Sequence, residues 1–134
     1  MKTIIAGSRD ITNPKHLHDA LDEIDFDITE VVCGLADGVD TMGLDFAIDY
    51  KVPYKTFPAD WEKYGRKAGP IRNVQMGDYA DALIAIWDGK SRGTKHMIEY
   101  AKQKKLKTVV FILDKGTNSV VLLNSTNEIS TLDI

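Results

Sequence analysis

The sequence predicts an α/β protein in which a mainly parallel sheet of about five strands lies between two layers of helices. Short apolar segments rich in β-branched or aromatic residues recur along the chain, and helical patterns lie between them. The apolar segments mostly lack alternation with polar residues, which is typical of strands buried on both faces. Strands that alternate with helices are parallel and joined by right-handed crossovers, which gives a three-layer sandwich.

Turn residues bound each predicted strand, and the strands are residues 3–6, 30–33, 54–57, 82–87 and 108–113. The first helix is predicted to begin at Asn13-Pro14, because asparagine is a good N-cap and proline suits the first helical position. Apolar residues at helical spacing predict further helices near residues 42–50, 70–79 and 97–101.

The tail carries two more short strand patterns, at residues 119–123 and 128–132. An isolated two-stranded hairpin is marginal in water, so these strands are expected to pack on the sheet edge or on a partner subunit. We therefore predict one domain over residues 1–113 and a C-terminal β extension over residues 114–134.

The composition is that of a cytoplasmic globular domain. The chain has 134 residues, 43% of them hydrophobic, and no apolar run is long enough for a membrane-spanning helix or a signal peptide. Cys33 is the single cysteine, which excludes an internal disulfide, and we expect a packed, inert thiol. The histidines lack metal-ligand spacing and are expected at the surface; they are His16, His18 and His96.

Charge is distributed unevenly along the chain, although the net charge is only −3. Residues 1–60 carry 5 basic and 12 acidic side chains, whereas residues 61–134 carry 12 basic and 8 acidic ones. The cations among residues 90–107 form either a solvated helix face or a face that attracts anions. The acidic overall balance argues against a protein that acts on duplex nucleic acid.

Small residues, hydroxyls, arginine and aspartate follow the predicted strands. Parallel sheets bind ligands beyond the carboxyl ends of their strands, so these residues are expected to converge on one rim. The candidate ligand-binding residues are Gly7, Ser8, Arg9, Gly34, Asp37, Gly38, Trp61, Asn73, Asp88, Gly89, Ser91, Gly93 and Thr94.

The stretch 88–94 is the strongest phosphate candidate. It offers hydroxyls, glycines and two cations at a helix start, where N–H groups without helical partners favour phosphate. The alternative is that Thr94 only caps the helix. The stretch is not a Walker A loop, and Gly7-Ser8 does not belong to a GxGxxG fingerprint.

Two further candidates have two interpretations each. Asp37 and Asp40 flank Gly38 at a helix start, where each carboxylate either caps the helix or accepts hydrogen bonds from ribose hydroxyls. Trp61 either stacks on a base as part of a lid or packs in the core.

Five blocks of residues, taken in chain order, resemble the YpsA-related SLOG family, a bacterial and phage group with a Rossmann-like fold. The blocks are Gly7-Ser8-Arg9, Gly34-x-Ala36-Asp37-Gly38-x-Asp40, Phe57-Pro58-Ala59-Asp60-Trp61, Gly69-Pro70-x-Arg72-Asn73-x-x-Met76 and Gly93-Thr94. The resemblance covers residues 1–113 and implies a nucleotide-binding domain. Members of this group are commonly dimers or larger, so we expect self-association, most simply as a two-fold dimer.

Part of the chain is distantly similar to the Lonely Guy phosphoribohydrolases, which cleave the N-glycosidic bond of nucleoside monophosphates. That resemblance implies that Arg72 is a catalytic, phosphate-binding arginine and that Gly93-Thr94 form the phosphate loop. Met97 stands where that family has its glutamate, so hydrolysis would need another carboxylate. The carboxylates considered are Asp37, Asp40, Asp60 and Asp88, of which Asp40 and Asp60 join Arg72 as catalytic candidates.

These observations predict binding of a small nucleotide or ribose-phosphate derivative, with or without hydrolysis of its N-glycosidic bond. Nucleoside monophosphates, ADP-ribose and cyclic nucleotides are the ligand types considered. No cofactor is expected, although Mg²⁺ would accompany a phosphorylated ligand on an aspartate-rich rim. The alternatives are single-stranded nucleic-acid binding through residues 90–107, and a phage or host-defence interaction protein that uses the fold as a ligand trap. Tyr100 is the sole aromatic residue among those cations, which counts against nucleic acid.

Overall fold

A computed structural model of the chain describes residues 1–126. Its elements, in chain order, are β1 (Lys2–Gly7), α1 (Pro14–Leu21), β2 (Glu30–Cys33), α2 (Val39–Asp49), β3 (Tyr54–Thr56), α3 (Trp61–Tyr64), α4 (Ala68–Tyr79), β4 (Ala82–Trp87), α5 (Arg92–Gln103), β5 (Lys107–Asp114) and β6 (Ser119–Thr126). A short 3₁₀ turn, Gly65–Lys67, joins α3 to α4. The five strands predicted for the domain are confirmed, and the strand predicted at residues 128–132 lies outside the described residues.

The strands form one six-stranded sheet in the order β3-β2-β1-β4-β5-β6. Strands β1 to β5 run parallel, and β6 runs antiparallel to β5 along its whole length, with one register shift between Val110 and Phe111. The predicted Rossmann-like, mainly parallel sheet is therefore confirmed, and the β extension adds a strand to the edge of the same sheet. The order of connection reverses between β1 and β4, which is where such sheets open a crevice for a ligand.

Helices cover both faces of the sheet, as expected for a three-layer sandwich. Strand residues such as Ile5 and Ile84 form one apolar cluster with side chains of α1 and α2. Their neighbours Ile4 and Leu83 point to the opposite face and form a second cluster with side chains of α4 and α5. The alternation arises because successive side chains of a strand point to opposite faces, so the central strands need apolar residues at every position.

The helix starts differ in how they are capped. Asn13 caps α1 as predicted, since its Oδ1 accepts from the Lys15 N–H at 3.0 Å. The prediction of Thr94 as a cap is wrong, because α5 begins three residues earlier than that assignment requires and Ser91 is its N-cap. Neither Asp37 nor Asp40 caps α2, whose N-cap is Gly38 without a side-chain hydrogen bond.

Two sequence predictions about single side chains have opposite outcomes. Cys33 is buried at the end of β2, as predicted, and burial raises the pKa of its thiol to about 11. His16 was expected at the surface, and that prediction is wrong, since the side chain is 3% exposed where α1 packs on the sheet.

No helix within residues 1–126 is long and apolar enough to cross a membrane.

Candidate functional site

A cavity of about 340 Å³ opens at the carboxyl ends of β1 and β4, where the order of the strands reverses. Its walls come from the loop after β1, the first turn of α2, the α3–α4 region and the first turns of α5. Met76 and Met97, both 1% exposed, line its apolar side. The predicted rim therefore exists, and segments distant in sequence meet there.

Arg72 lies in the first half of α4 and is 9% exposed at the wall of the cavity. Its Nη1 donates to the Gly34 carbonyl oxygen, and its Nε donates to Asn73 Oδ1 at 3.2 Å. A side chain at position 34 would collide with this guanidinium, because a Cβ there would lie 2.2 Å from Nη1. Burial lowers the pKa of Arg72, and the Asp40 carboxylate opposes that shift. A guanidinium has five N–H donors, so others are available to an anion in the cavity.

Asn73, 6% exposed, connects α4 to the start of α5. Its Nδ2 donates to the Gly93 carbonyl oxygen at 3.2 Å and also lies 3.2 Å from Nδ1 of His96. Arg72 and Asn73 together therefore join the loop that precedes α2 to the N-terminal turn of α5.

Asp40 is a carboxylate of the cavity wall, in the first turn of α2 and 4% exposed. Its Oδ2 accepts from the Ala36 N–H at 3.3 Å. Burial raises the pKa of Asp40 to about 6, although Arg72 and the N–H groups of Ala36 and Gly7 act in the opposite direction. Both its protonated and its ionised form are therefore accessible near neutral pH.

The N-terminus of α5 opens into the cavity. The Ser91 side chain accepts from the Thr94 N–H at 3.3 Å, and the Ser91 N–H donates to Asp88 Oδ1 at 2.8 Å. The next two N–H groups, of Arg92 and Gly93, have no hydrogen-bond partner within the described part of the chain. A Cβ at Gly93 would meet nothing within 4 Å, so the backbone is open to an approaching ligand.

Ser8 and Asp88 hold the ends of β1 and β4 together and do not line the cavity. Ser8 is 1% exposed, and its Oγ accepts from the Asp88 N–H at 3.0 Å. Burial raises the pKa of Asp88, but the N–H groups of Ser91 and Lys90 outweigh it, and the net pKa is lowered. Gly89 turns the chain after them with a φ of +81°, also outside the cavity.

Three further candidates, Trp61, Asp60 and Asp37, differ in whether they line the cavity. Trp61 lines the cavity and is 52% exposed, so the interpretation of Trp61 as a core residue is wrong. Asp60 caps α3, with its Oδ1 accepting from the Lys63 N–H at 3.1 Å, and it does not line the cavity. Asp37 is exposed and also lies outside the lining.

Gly38 shapes the wall without lining it. Its φ is +77°, and a Cβ there would lie 2.5 Å from the carbonyl oxygens of both Ser8 and Arg9. Gly7, which does line the cavity, is similarly confined, since a Cβ would lie 2.1 Å from the Ile86 carbonyl oxygen. The first two loops of the rim are thus pressed together backbone to backbone.

Sequence reasoning missed one polar residue of the cavity, His96, and included Arg92 only as one of the two cations of residues 88–94. His96 was expected at the surface without a role, but it is half-buried and bonded to Asn73. The spacing of three residues from Gly93 was the available signal, because positions i and i+3 share a helix face. His18, the remaining histidine, is exposed as predicted.

Comparisons with known proteins agree with the sequence resemblance. The family model described as YspA, cpYpsA-related SLOG family matches residues 1–64, so the predicted resemblance is confirmed over the segment that supplies β1, β2 and their loops. Gene 61 protein of Mycobacterium phage D29 is 39% identical over 54 residues, which are 40% of this chain and 43% of that protein. The match thus spans less than half the length of this phage relative.

The X-ray structure of DNA processing protein A from Streptococcus pneumoniae has a similar fold. Its TM-score is 0.65 at 16% sequence identity, and the similarity covers 81% of this chain and 49% of that chain. At this identity the likeness shows the fold alone, and it confirms the Rossmann-like architecture.

Proposed function

We propose that this chain, whose residues 1–64 carry the SLOG family sequence, binds a small nucleotide or ribose-phosphate derivative in the cavity at the strand ends. The charges around the cavity suit an anion. Three arginines line it, and they are Arg9, Arg72 and Arg92. The carboxylate that faces them, Asp40, has a raised pKa and is easily neutralised.

The observation that carries the proposal is the open N-terminus of α5. Two consecutive N–H groups, of Arg92 and Gly93, point out of the helix beside an arginine side chain. The helix dipole places positive potential at the same point, and phosphate groups bind such helix starts. We place the phosphate there.

The size and walls of the cavity favour a small ligand. A volume of about 340 Å³ lies at the lower end of the roughly 300–1,000 Å³ typical of small-molecule sites. Trp61 offers an aromatic face at the mouth, on which a base can stack. A mononucleotide or a ribose phosphate fits these features better than a dinucleotide does.

Hydrolysis of the N-glycosidic bond is a further step within this proposal, and Asp40 is its candidate carboxylate. Among the described residues that line the cavity, Asp40 is the one with a carboxylate, whereas Asp60, Asp88 and Asp37 lie outside. Met97 occupies the wall where the phosphoribohydrolases have their glutamate. Mg²⁺, if it accompanies the phosphate, would therefore draw most of its ligands from phosphate and water.

The test is a ligand panel scored by thermal stability and by product release. Adenosine monophosphate, ribose 5-phosphate, ADP-ribose and a cyclic mononucleotide are compared with unphosphorylated adenosine, each with and without Mg²⁺. A ligand at about 100 times its dissociation constant should add roughly 2.7 kcal/mol to the free energy of unfolding. Chromatography for released base separates binding from hydrolysis. Equal shifts with adenosine and the phosphorylated ligands would contradict the proposal.

The two alternative functions have less support from the structure. A phage or host-defence interaction protein whose nucleotide pocket is a relic would have that pocket filled by side chains, and this cavity is open. Single-stranded nucleic acid needs aromatic faces among its cations, but the hydroxyl of Tyr100 donates to Asp78 at 2.5 Å and ties its ring to α4.

We also propose self-association through β6, which is the edge strand of the sheet within residues 1–126. Its side chains Val121, Leu122 and Leu123 are 48%, 49% and 53% exposed, which is unusual for neighbouring apolar residues. A second copy that pairs along this edge would cover them. Light scattering at tens of micromolar is the measurement, and a mass near the 14.9 kDa of one chain would exclude the dimer.

A further inference from the structure

The side-chain amide of Asn73 can take only one orientation in this site. Its Oδ1 lies 3.2 Å from Nε of Arg72, and a guanidinium only donates. Its Nδ2 lies 3.2 Å from the Gly93 carbonyl oxygen, which only accepts. Exchanging the oxygen and nitrogen would oppose donor to donor and acceptor to acceptor. Asn73 is 6% exposed, so water would not relieve either mismatch.

This fixed amide determines the state of the His96 ring. The same Nδ2 lies 3.2 Å from Nδ1 of His96, and its second hydrogen serves that nitrogen. Nδ1 must then accept, so it carries no proton. A neutral imidazole with an unprotonated Nδ1 has its proton on Nε2. Arg72, Asn73 and His96 therefore form a directed chain of hydrogen bonds that ends in an N–H donor.

The donor is placed where the proposed ligand would lie. His96 lines the cavity one turn after the N-terminus of α5, on the side that faces α4. Its ring has no hydrogen bond within residues 1–126 other than the one to Asn73. A neutral N–H donor adds a direction-sensitive contact beside the three arginines that line the cavity.

We propose that His96 donates from Nε2 to an oxygen at the ribose-phosphate end of the ligand, and that Asn73 is the positioning residue that holds the imidazole in this tautomer. The ligand contact rests on the proposed function. The tautomer is independent of it, because the hydrogen bonds that fix it lie within the protein.

The tautomer is tested without a ligand. Long-range ¹H–¹⁵N correlation spectra distinguish a protonated from an unprotonated ring nitrogen, and the chain has only 3 histidines to assign. In spectra recorded at about pH 8, His96 should show the Nε2–H form. In Asn73→Asp the amide donor becomes an acceptor, and His96 should gain a proton at Nδ1. An Nδ1–H ring in the unmodified protein, or a ring unchanged in Asn73→Asp, would overturn the positioning role.

The ligand contact is tested by calorimetric affinity for adenosine monophosphate and ribose 5-phosphate. His96→Phe keeps the ring volume and removes both nitrogens, and it should weaken both ligands roughly three- to tenfold. His96→Gln restores a terminal N–H donor and should recover part of that loss. His18→Phe is the matched control, because His18 is exposed on α1, outside the cavity, and affinity should not change.

The outcomes separate the two proposals. If the unmodified protein binds and His96→Phe binds equally well, the histidine contact is wrong and the proposed function stands. If the unmodified protein binds none of the phosphorylated ligands of the panel, the proposed function and the ligand contact both fail. The nitrogen spectra then still decide whether Asn73 sets the tautomer.

Discussion

Two helices, α2 and α5, begin at the same rim from opposite faces of the sheet, but the surrounding backbone packs closely on only one of the two starts. The start of α2 is closed from within, since Gly38 presses on the carbonyl oxygens of Ser8 and Arg9, and the Asp40 carboxylate accepts from the Ala36 N–H. The start of α5 is capped by Ser91 and borders the cavity, and a Cβ at Gly93 would meet nothing within 4 Å.

The comparison teaches that a glycine and an aspartate near a helix start do not define an anion site. Both loops carry glycine, hydroxyl or carboxylate residues, and both sequences suggest ligand binding, residues 88–94 more strongly. What separates them is how much space the fold leaves beside the backbone. The buried Asp40 carboxylate accepts from the loop before α2 and does not cap that helix, whereas we propose that the start of α5 meets the phosphate of the ligand.

The largest expected effect comes from adding a side chain at Gly38, where α2 begins. Gly38→Ala forces a positive φ on alanine and places Cβ 2.5 Å from two carbonyl oxygens, so unfolding should become easier by about 3 kcal/mol or more. Gly93→Ala is the matched control at the open start, where Cβ meets nothing within 4 Å. Its stability should stay within about 1 kcal/mol of the parent protein, because alanine is the better helix former. Urea denaturation measures both, and equal losses would erase the distinction between the two starts.

The next largest effect concerns the buried carboxyl of Asp40 and the pH dependence of stability that it causes. Its pKa rises from 3.8 in the unfolded chain to about 6 in the fold, so the folded state holds the proton more tightly. The contribution of Asp40 to the free energy of unfolding should therefore be greatest below about pH 4. It should fall by roughly 3 kcal/mol as the pH rises through 6. Asp40→Asn should remove that fall and be the more stable protein at pH 8.

Subtracting the two pH profiles isolates this carboxyl. Asp25, Asp78 and Asp88 have lowered pKa values, so their contributions run the other way, and they cancel in the difference. If the difference in unfolding free energy between the parent protein and Asp40→Asn stays constant from pH 4 to pH 8, Asp40 does not titrate with a raised pKa.

A third prediction concerns Arg72, which joins the two starts through Gly34 and Asn73. Arg72→Lys cannot reproduce both bonds and the remaining donors of the planar group. Affinity for the best phosphorylated ligand should fall by about 1.5–3 kcal/mol, or roughly ten- to a hundredfold, and Arg72→Ala should fall at least as far. Calorimetry gives the affinities, and melting temperatures check folding. Folded variants that bind as the parent does would make the arginine purely structural.

The smallest effect is expected from removing Arg92, an exposed cation at the start of α5. Arg92→Ala should reduce affinity for phosphorylated ligands by about 0.5–1 kcal/mol, less so at high salt, because an exposed charge is screened. Lys95→Ala is the control, since Lys95 is an exposed cation of the same helix that does not line the cavity. If both variants lose affinity equally, the effect comes from the general charge of α5.

Much of the fold follows from the sequence because its signals are local. Unbroken apolar strands, Asn13-Pro14 and the alternation of elements predict the parallel sheet, and five strands lie where expected. The site is only partly predictable for the opposite reason. Ser8 and Asp88 have the chemistry of ligand-binding residues, but they hydrogen-bond each other across a sequence distance of 80 residues. The spacing of His96 from Gly93 places both on one face of α5, but the hydrogen bond of His96 to Asn73 depends on α4 packing against α5.

Burial of Arg72 was equally inaccessible to sequence reasoning. The expectation of a phosphate-binding arginine at the rim says nothing of the Gly34 carbonyl oxygen, which lies 38 positions away and takes one of its N–H groups. Positions whose role depends on such distant backbone atoms need the folded chain to be interpreted.

The antiparallel pairing of β6 with β5 protects the domain against aggregation through the edge of β5. Val109, Val110 and Phe111 of β5 are at most 4% exposed, and β6 occupies their outer backbone edge from Ser119 to Thr126. A chain ending at residue 113 would present that apolar strand as a template for other chains, a common origin of aggregation. Strand β6 thus blocks the backbone edge of β5 from pairing with other chains, whether or not a second subunit binds.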